Sequence, residues 1–378
     1  MKRIRGRFIL ISLLVSTIVV VSFLATWYLL FYGKNATTRQ QYQFNSVFTA
    51  SPQTVFEPVL PGQKVRLPND FRFHSQYQHE WWHYFASLQD AQGTPYSVQW
   101  SFFRLAGDER DVNGWQNPQI YLANVVVSAK GKVWKDQRIA RGGIGQAGSS
   151  DKPFRMWIDN WTWRALGVTP FPGNLIATSD EFSLELVTQT LGPFVLNGES
   201  GYQLKHDLES VASFSVSAPF LQTDGVLHLD GKNIKVSGSA WLQKEWGSDL
   251  VGQDQQGWDW LVFNLDNGMA LSVNQYRHKS RLPYVFGTLS TPSGKVFPLK
   301  EQDIKITPLE ESELADGTRL PLRWSVEVPK YQIRLTATAV DQEMWLPFLL
   351  PYWEGPIQVA GSHQGWGFMQ LTGYGRSN

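Results

Sequence analysis

The chain has 378 residues, with 34 Lys and Arg against 33 Asp and Glu for a formal net charge of +1, together with 17 Trp and no Cys. A near-neutral balance without long basic tracts argues against a nucleic-acid binder, whose phosphate affinity rests on clustered Lys and Arg. The missing Cys excludes disulfides, thiolate zinc sites, a Cys nucleophile and lipoprotein-type lipidation, and the length allows about two domains at roughly 150 residues each.

Lys2, Arg3, Arg5 and Arg7 precede an apolar run over residues 8–32. At about 1.5 Å per residue the run is long enough to cross a hydrocarbon core of about 30 Å. Its one alanine, Ala25, has bulky Phe23 two positions earlier, a poor small-x-small cleavage site. Trp27, Tyr28 and Tyr32 sit near the outer end, where amphipathic rings favour the interface. Four cations before the run, against Lys34 and Arg39 after it, place the N-terminus in the cytoplasm. The expectation is an uncleaved signal anchor over residues 1–33, single-pass in a bacterial inner membrane, with the globular part in the periplasm. A cleaved signal peptide is the alternative. Residues 34–54 are polar and suit a linker off the membrane.

From Phe56 onward the pattern is β. Stretches at 96–102, 226–229, 234–236 and 331–337 alternate apolar and polar residues, and turn signals punctuate them at Asp90–Gly93, Lys130–Gly131, Asp230–Gly231, Asp266–Gly268 and Asp316–Gly317. These are the marks of antiparallel hairpins with tight turns. Helical periodicity is nowhere sustained, and 32 Gly and 20 Pro over many short strands favour a barrel or sandwich. No Gly-rich phosphate loop follows a strand and opens a helix, so no nucleotide cofactor is expected.

The β body contains a duplication. Residues 80–88, a turn at Gly93 and Ser97–Gln99 match residues 257–265, a turn at Gly268 and Ser272–Asn274. Residues 238–243, with Trp241 and Gln243, match residues 365–370, with Phe368 and Gln370. Their common order predicts two similar barrels in tandem, one over residues 55–248 and one over residues 249–378.

Several ordered motifs now carry a family resemblance. His74 with Glu80, Trp81 and Trp82; Phe102, Phe103 and Arg104; the Gly-rich stretch 141–148; Gly201, Tyr202 and Lys205; residues 238–247; residues 257–260; Tyr352–Gly355; and Leu371–Tyr374 together resemble the CrtC/AttH family. That family comprises carotenoid 1,2-hydratases and envelope proteins labelled secreted hydrolases. The resemblance implies two lipocalin-like antiparallel barrels, and it names an ABC-exporter permease as an implied partner. In the family the stretch closing the first domain usually reads Trp-Met-Asp-His-Glu-Trp-Gly, with Arg sometimes in place of His. This chain has Gln243 and Lys244 where the family carries Asp and His. Hydrating an isolated alkene needs a strong acid to protonate carbon, and Gln243 cannot titrate. Lys244 could serve only if burial or a neighbouring cation lowered its pKa.

The remaining candidates are carboxylates, histidines and tryptophans. Lys244 and Glu245 are the catalytic candidates of a hydratase-like enzyme. Glu80, Trp81, Trp82, His83, Trp241, Trp246, Trp258, Asp259 and Trp260 are the ligand-binding candidates, with the alternative that the carboxylates accept structural hydrogen bonds at a barrel end. Residues 79 and 83 on one strand face lie roughly 13 Å apart at about 3.3 Å per residue, too far for one metal, so His74, His79 and His83 predict none. No Gly-x-Ser-x-Gly elbow occurs. The sequence therefore predicts an all-β, membrane-anchored protein that binds a hydrophobic molecule, such as a lipid or isoprenoid, in barrels of about eight strands, a size that holds one such ligand. A hydro-lyase acting on an isoprenoid double bond is the enzyme alternative. A structural exporter subunit with filled barrels is a third.

Overall fold

The structure is a computed structural model that describes residues 56–110 and 112–375. The anchor and linker expected before residue 55 lie outside the described residues. Among the described residues no helix is long and apolar enough to cross a membrane.

Two antiparallel sheets hold nearly all the regular structure. The first runs, in spatial order, through Lys132–Arg141, Gln119–Ala129, Pro95–Ala106, His79–Gln89, Lys232–Gly247, Ala212–Leu229, Phe182–Thr190, Gly173–Thr178, Trp161–Ala165, Phe154–Ile158 and Ala147–Asp151. Its earliest long strand thus pairs with its last, and its two edges are consecutive in the chain. The edges approach each other, so the sheet is a nearly closed barrel. The second sheet runs through Val296–Leu299, Tyr284–Ser290, Ala270–His278, Gln255–Leu265, Gly365–Thr372, Tyr352–Gly361, Ile333–Ala339, Arg319–Val328 and Lys305–Glu313. It repeats the same logic, with first strand against last and consecutive edges, but it stays open as a half-barrel. Two barrel-like sheets agree with the expected tandem barrels, and the second is the more open: its edges fall at the short Val296–Leu299 strand and at Lys305–Glu313, whose residues are mostly exposed.

The predicted turns form where tight hairpins require them. Gly93, Gly131, Gly231, Gly268 and Gly317 all take positive φ, which glycine adopts without steric cost. The strand His79–Gln89 is buried on both faces. Its even residues Trp82, Tyr84 and Ala86 join the core of the first barrel. Its odd residues Trp81 and Phe85 point outward into small apolar clusters shared with the second sheet. Double burial explains why this strand reads as continuously apolar instead of alternating.

The expected lumen for a ligand is filled in the first barrel. Trp82, Trp100, Trp161, Trp163 and Trp246 belong to one buried cluster, with Trp100 and Tyr84 packing on Trp163 at ring-centroid distances of 5.5 and 5.2 Å. The second sheet encloses its own cluster around Trp324 and Trp353. Large rings fill the space a ligand would need. A different space is left where the outer faces of the two central strand pairs meet.

Candidate functional site

The duplicated motifs fix the geometry of that junction. In the first sheet His83 pairs across the strands with Gln243, and Trp81 with Glu245. In the second, Trp260 pairs with Gln370, and residue 258 falls opposite Thr372 by the same register. The matched sequence blocks are therefore matched strand pairs, set face to face. Between them runs a cleft lined by Trp81, His83, Gln243 and Glu245 from the first sheet and by Trp258, Trp260, Asn274, Tyr276, Gln370 and Thr372 from the second, with Phe103, Leu350 and Tyr352. Its atom-free space is about 560 Å³, solvent at the mouth included. The cleft is a narrow, mostly apolar slot that suits a flat or slender molecule.

One end of the slot is charged. Lys205 Nζ donates to Glu245 Oε1 and, at 2.8 Å, to the hydroxyl of Tyr276. Ser213 Oγ donates to the same carboxylate oxygen at 2.9 Å. Burial works against the Lys205 charge, but Glu245 and Tyr276 more than offset it and hold the ammonium above its ordinary pKa. Burial pushes the Tyr276 phenol up to about 12 despite the opposing lysine. Tyr276 is therefore a neutral donor beside a carboxylate acceptor. Trp81 lies within 5.5 Å of the ammonium, at its ring centroid, a distance at which the ring's π face attracts a cation.

The other end is polar without net charge. Ser101 Oγ lies 3.0 Å from His83 Nδ1, and burial drives the imidazole down to about 3, so it is neutral. Gln370 Nε2 donates to Glu354 Oε2 at 2.5 Å, while Glu354 Oε1 makes no hydrogen bond among the described residues. Burial pushes this carboxyl up to about 8, against the pull of Gln370, so it carries its proton at neutral pH. Trp258 Nε1 donates to Gln370 Oε1 at 2.8 Å, and Trp260 Nε1 to Ser272 Oγ at 2.9 Å.

The site residues expected from sequence divide by strand parity. Trp81, His83, Glu245, Trp258 and Trp260 line the slot. Trp241 packs in the apolar junction beneath it with Phe85 and Phe368. Glu80, Trp82, Lys244 and Trp246 face the first barrel's interior, where Lys244 Nζ lies 2.7 Å from Glu80 Oε1 and donates to the carbonyls of Asp70 and Arg72 at 2.6 Å each. Burial would raise the Glu80 carboxyl, but Lys244, His74 and Arg104 override it and bring it down to about 2. Asp259 faces the second sheet's interior against Arg277 at 2.8 Å. Lys244 and Glu245 therefore point to opposite faces of one strand and do not form a pair. Gln243, in the family's Asp position, does line the slot. Its amide is tied to Ser215 at 2.6 Å and to Ser217, and Asn197 donates to both serines at 3.0 and 2.8 Å.

Lys205, Tyr276 and Glu354 were not among the expected site residues. Lys205 and Glu354 each sit in a quoted motif, and the signal for Glu354 was a lone charge in an apolar strand. Among the described residues one cluster has metal-ligand residue types: His206, Asp254 and His278. The guanidinium of Arg281 occupies it, with Nη2 2.9 Å from Asp254 Oδ2, 3.1 Å from His278 Nδ1 and 3.3 Å from His206 Nε2. The backbone N–H groups of Leu208 and Glu209 donate to His206 Nδ1, so Nε2 carries the proton and donates to Asp254. Arg281 thus already supplies a cation to Asp254.

A family profile described as AttH-like matches residues 58–374. The chain belongs to the AttH-like family. A solved structure from Nitrosomonas europaea, assigned as AttH, is 28% identical, covers 85% of this chain and 100% of its own, and superposes with a TM-score of 0.78. Kievitone hydratase from Nectria haematococca is 14% identical, covers 87% of this chain and 98% of its own, and has a TM-score of 0.63. The second likeness shows a shared fold. No curated protein matches the chain. This AttH-like protein thus keeps its family's tandem β architecture, with the slot at the junction of the two sheets.

Proposed function

We propose that the protein binds a slender, mostly apolar molecule with a polar end in the slot between its two sheets. The observation that supports this reading most is the junction itself: aromatic walls with a Lys205–Glu245–Tyr276 group at one end and His83 and Gln370 at the other. Apolar walls with a few convergent polar groups are what ligand sites generally need. A lipid or isoprenoid alcohol fits that chemistry. The apolar run at residues 8–32 and its flanking cations support tethering at a bacterial inner membrane, which would raise the local concentration of such a ligand. An ABC-exporter permease is the partner this reading proposes.

A hydro-lyase is the second reading, and it rests on Tyr276 and Glu245, both held by Lys205 at one end of the slot. In a hydration Glu245 would take a proton from the adding water, but the Tyr276 phenol, pushed up to about 12, is too weak an acid to protonate an isolated alkene carbon. The family Asp is absent at Gln243, so binding without turnover is the primary proposal.

The full-length chain is titrated with 1-anilinonaphthalene-8-sulfonate, and its purified form is extracted for copurified lipids by mass spectrometry. Asn274 lines the slot and is half-buried. Asn274→Phe should fill the slot, weaken dye binding at least tenfold and empty the extract. Unchanged binding in that variant would sink the slot as the site. Incorporation of oxygen from labelled water into an acyclic isoprenoid, lost in Asn274→Phe, would favour the hydro-lyase over the binding protein.

A further inference from the structure

A second cleft opens at the end of the first barrel and shares no lining residue with the slot. It is wide, with about 1040 Å³ of atom-free space, solvent at the mouth included. Lys64, Arg66 and Arg72 stand at its rim, all three exposed. None of the three side chains makes a hydrogen bond or an ion pair among the described residues, although Asp70 shares the same cleft. Unpaired cations converging on a concavity are unusual, because mixed charges normally neutralise one another across a surface.

The floor adds a second, independent observation. His74 and Trp246 stack there with ring centroids 4.6 Å apart and planes 5° apart. His74 is 3% exposed, and its Nε2 has no hydrogen-bond partner, the nearest carboxylate oxygen being Asp70 Oδ1 at 3.6 Å. Beneath the floor, Lys244 and Arg104 flank the single carboxylate of Glu80. The rim and floor together set five cations against Asp70, Glu80 and the neighbouring Glu57, which lies close enough to bear on Tyr77 in the same cleft. Cations outnumber carboxylates around the cleft, and low-dielectric walls focus the field of such an excess.

We propose that this cleft is an anion site for a phosphate-bearing ligand, held by Arg66, Arg72 and Lys64 above the His74–Trp246 stack. Two guanidinium forks match the oxygens of a phosphate group, which they can bind in bidentate fashion. The cleft is far larger than a bare ion, so the phosphate is carried by a larger body that rests against the ring floor. That body is either a soluble ester or the headgroup of a lipid, and the two sources present the same phosphate chemistry.

The test uses the full-length chain in neutral detergent micelles and isothermal titration calorimetry. Sodium pyrophosphate stands in for a free ester, and micelles doped with phosphatidylglycerol, compared with phosphatidylcholine, stand in for the headgroup. Saturable pyrophosphate binding that falls at least tenfold in Arg66→Gln/Arg72→Gln supports the site with a soluble ligand. Binding to phosphatidylglycerol alone, lost in the same variant, supports it with a lipid headgroup. Lys64→Gln should weaken either binding less, and Arg72→Lys should restore part of it. Both residues are exposed, so the fold is expected to survive, and an unchanged urea midpoint checks this. No binding of either probe, binding that the double variant leaves intact, or equal affinity for citrate would overturn the assignment.

Discussion

Phe85 of the first sheet and Phe368 of the second stack across the junction, with ring centroids 4.8 Å apart and planes 14° apart. In the duplication Phe85 corresponds to Val262 and Trp241 to Phe368, and all four belong to one buried cluster. The two halves therefore meet through equivalent surfaces, in the manner of an isologous dimer interface within one chain. This apolar contact closes the bottom of the slot.

Truncating either ring should loosen the junction before the barrels. Phe85→Ala or Phe368→Ala removes a packed ring and is expected to cost about 3–5 kcal/mol. The double variant should cost clearly less than the two singles combined, because both remove the same contact. Denaturant unfolding curves of the three variants check this. Full additivity would mean that the two rings are energetically independent.

Glu354 and His83 shape the pH dependence in opposite senses. The unfolded chain gives up the Glu354 proton near 4.5, whereas the folded protein keeps it to about 8. Between those values only the native state binds the proton, so stability declines as pH rises, by at most about 1.4 kcal/mol per unit. For His83 the unfolded chain binds a proton near 6.5, and the folded protein refuses it down to about 3. Stability from this group is complete above 6.5 and is lost as pH falls. Glu354→Gln should flatten the first slope and leave the second. Denaturation midpoints measured at about one-unit steps of pH read the difference. Identical profiles for variant and parent would show that Glu354 is ionised in the folded protein.

The fold was largely legible because its signals are local. Turn glycines such as Gly231 and Gly268 stand between short strands, and the two tryptophan motifs share an order that the paired strands reproduce. The side each residue faces was less legible. In the strand His79–Gln89 both faces are buried, so nothing in its apolar run separates Trp81 in the slot from Trp82 in the core. The charged end of the slot was hidden by distance along the chain: Lys205 meets Glu245 across 40 residues and Tyr276 across 71. The filled lumen was also hidden, since tryptophans that pack a barrel and tryptophans that line a pocket look alike in a sequence.

Lys244 stands where the family resemblance implies a His, and its contacts give it a structural job. Its ammonium bonds the carbonyls of Asp70 and Arg72 and pairs with Glu80. Lys244→Met leaves Glu80 buried without its main partner and should cost about 3–5 kcal/mol. Adding Glu80→Gln should recover much of that loss. The Glu80 carboxyl is held at about 2 in the folded protein, so the stability it supplies is present above its unfolded value and is lost as pH falls toward 2. Lys244→Met should shrink this acid-side slope, which urea midpoints across the acid range would read. A variant as stable as the parent would refute the brace.

Glu245 combines structural and ligand-facing contacts, and a set of variants separates them. Glu245→Gln leaves the Lys205 ammonium buried beside a neutral amide, so it should be strongly destabilising, by about 3–5 kcal/mol. Lys205→Met/Glu245→Leu replaces the pair with apolar groups and should regain stability while still failing to hold a polar ligand end. Tyr276→Phe is the sharper probe. It removes only the hydroxyl that Lys205 bonds at 2.8 Å, a loss of about 0.5–1.5 kcal/mol in stability, yet it strips the slot of its neutral donor. Affinity for a long-chain isoprenoid alcohol, measured by fluorescence titration, should fall about tenfold, the scale of one hydrogen bond at about 1.4 kcal/mol per factor of ten. Were affinity to follow stability across all of these variants, the polar group would be a brace for the junction and the ligand would be held by the tryptophan walls alone.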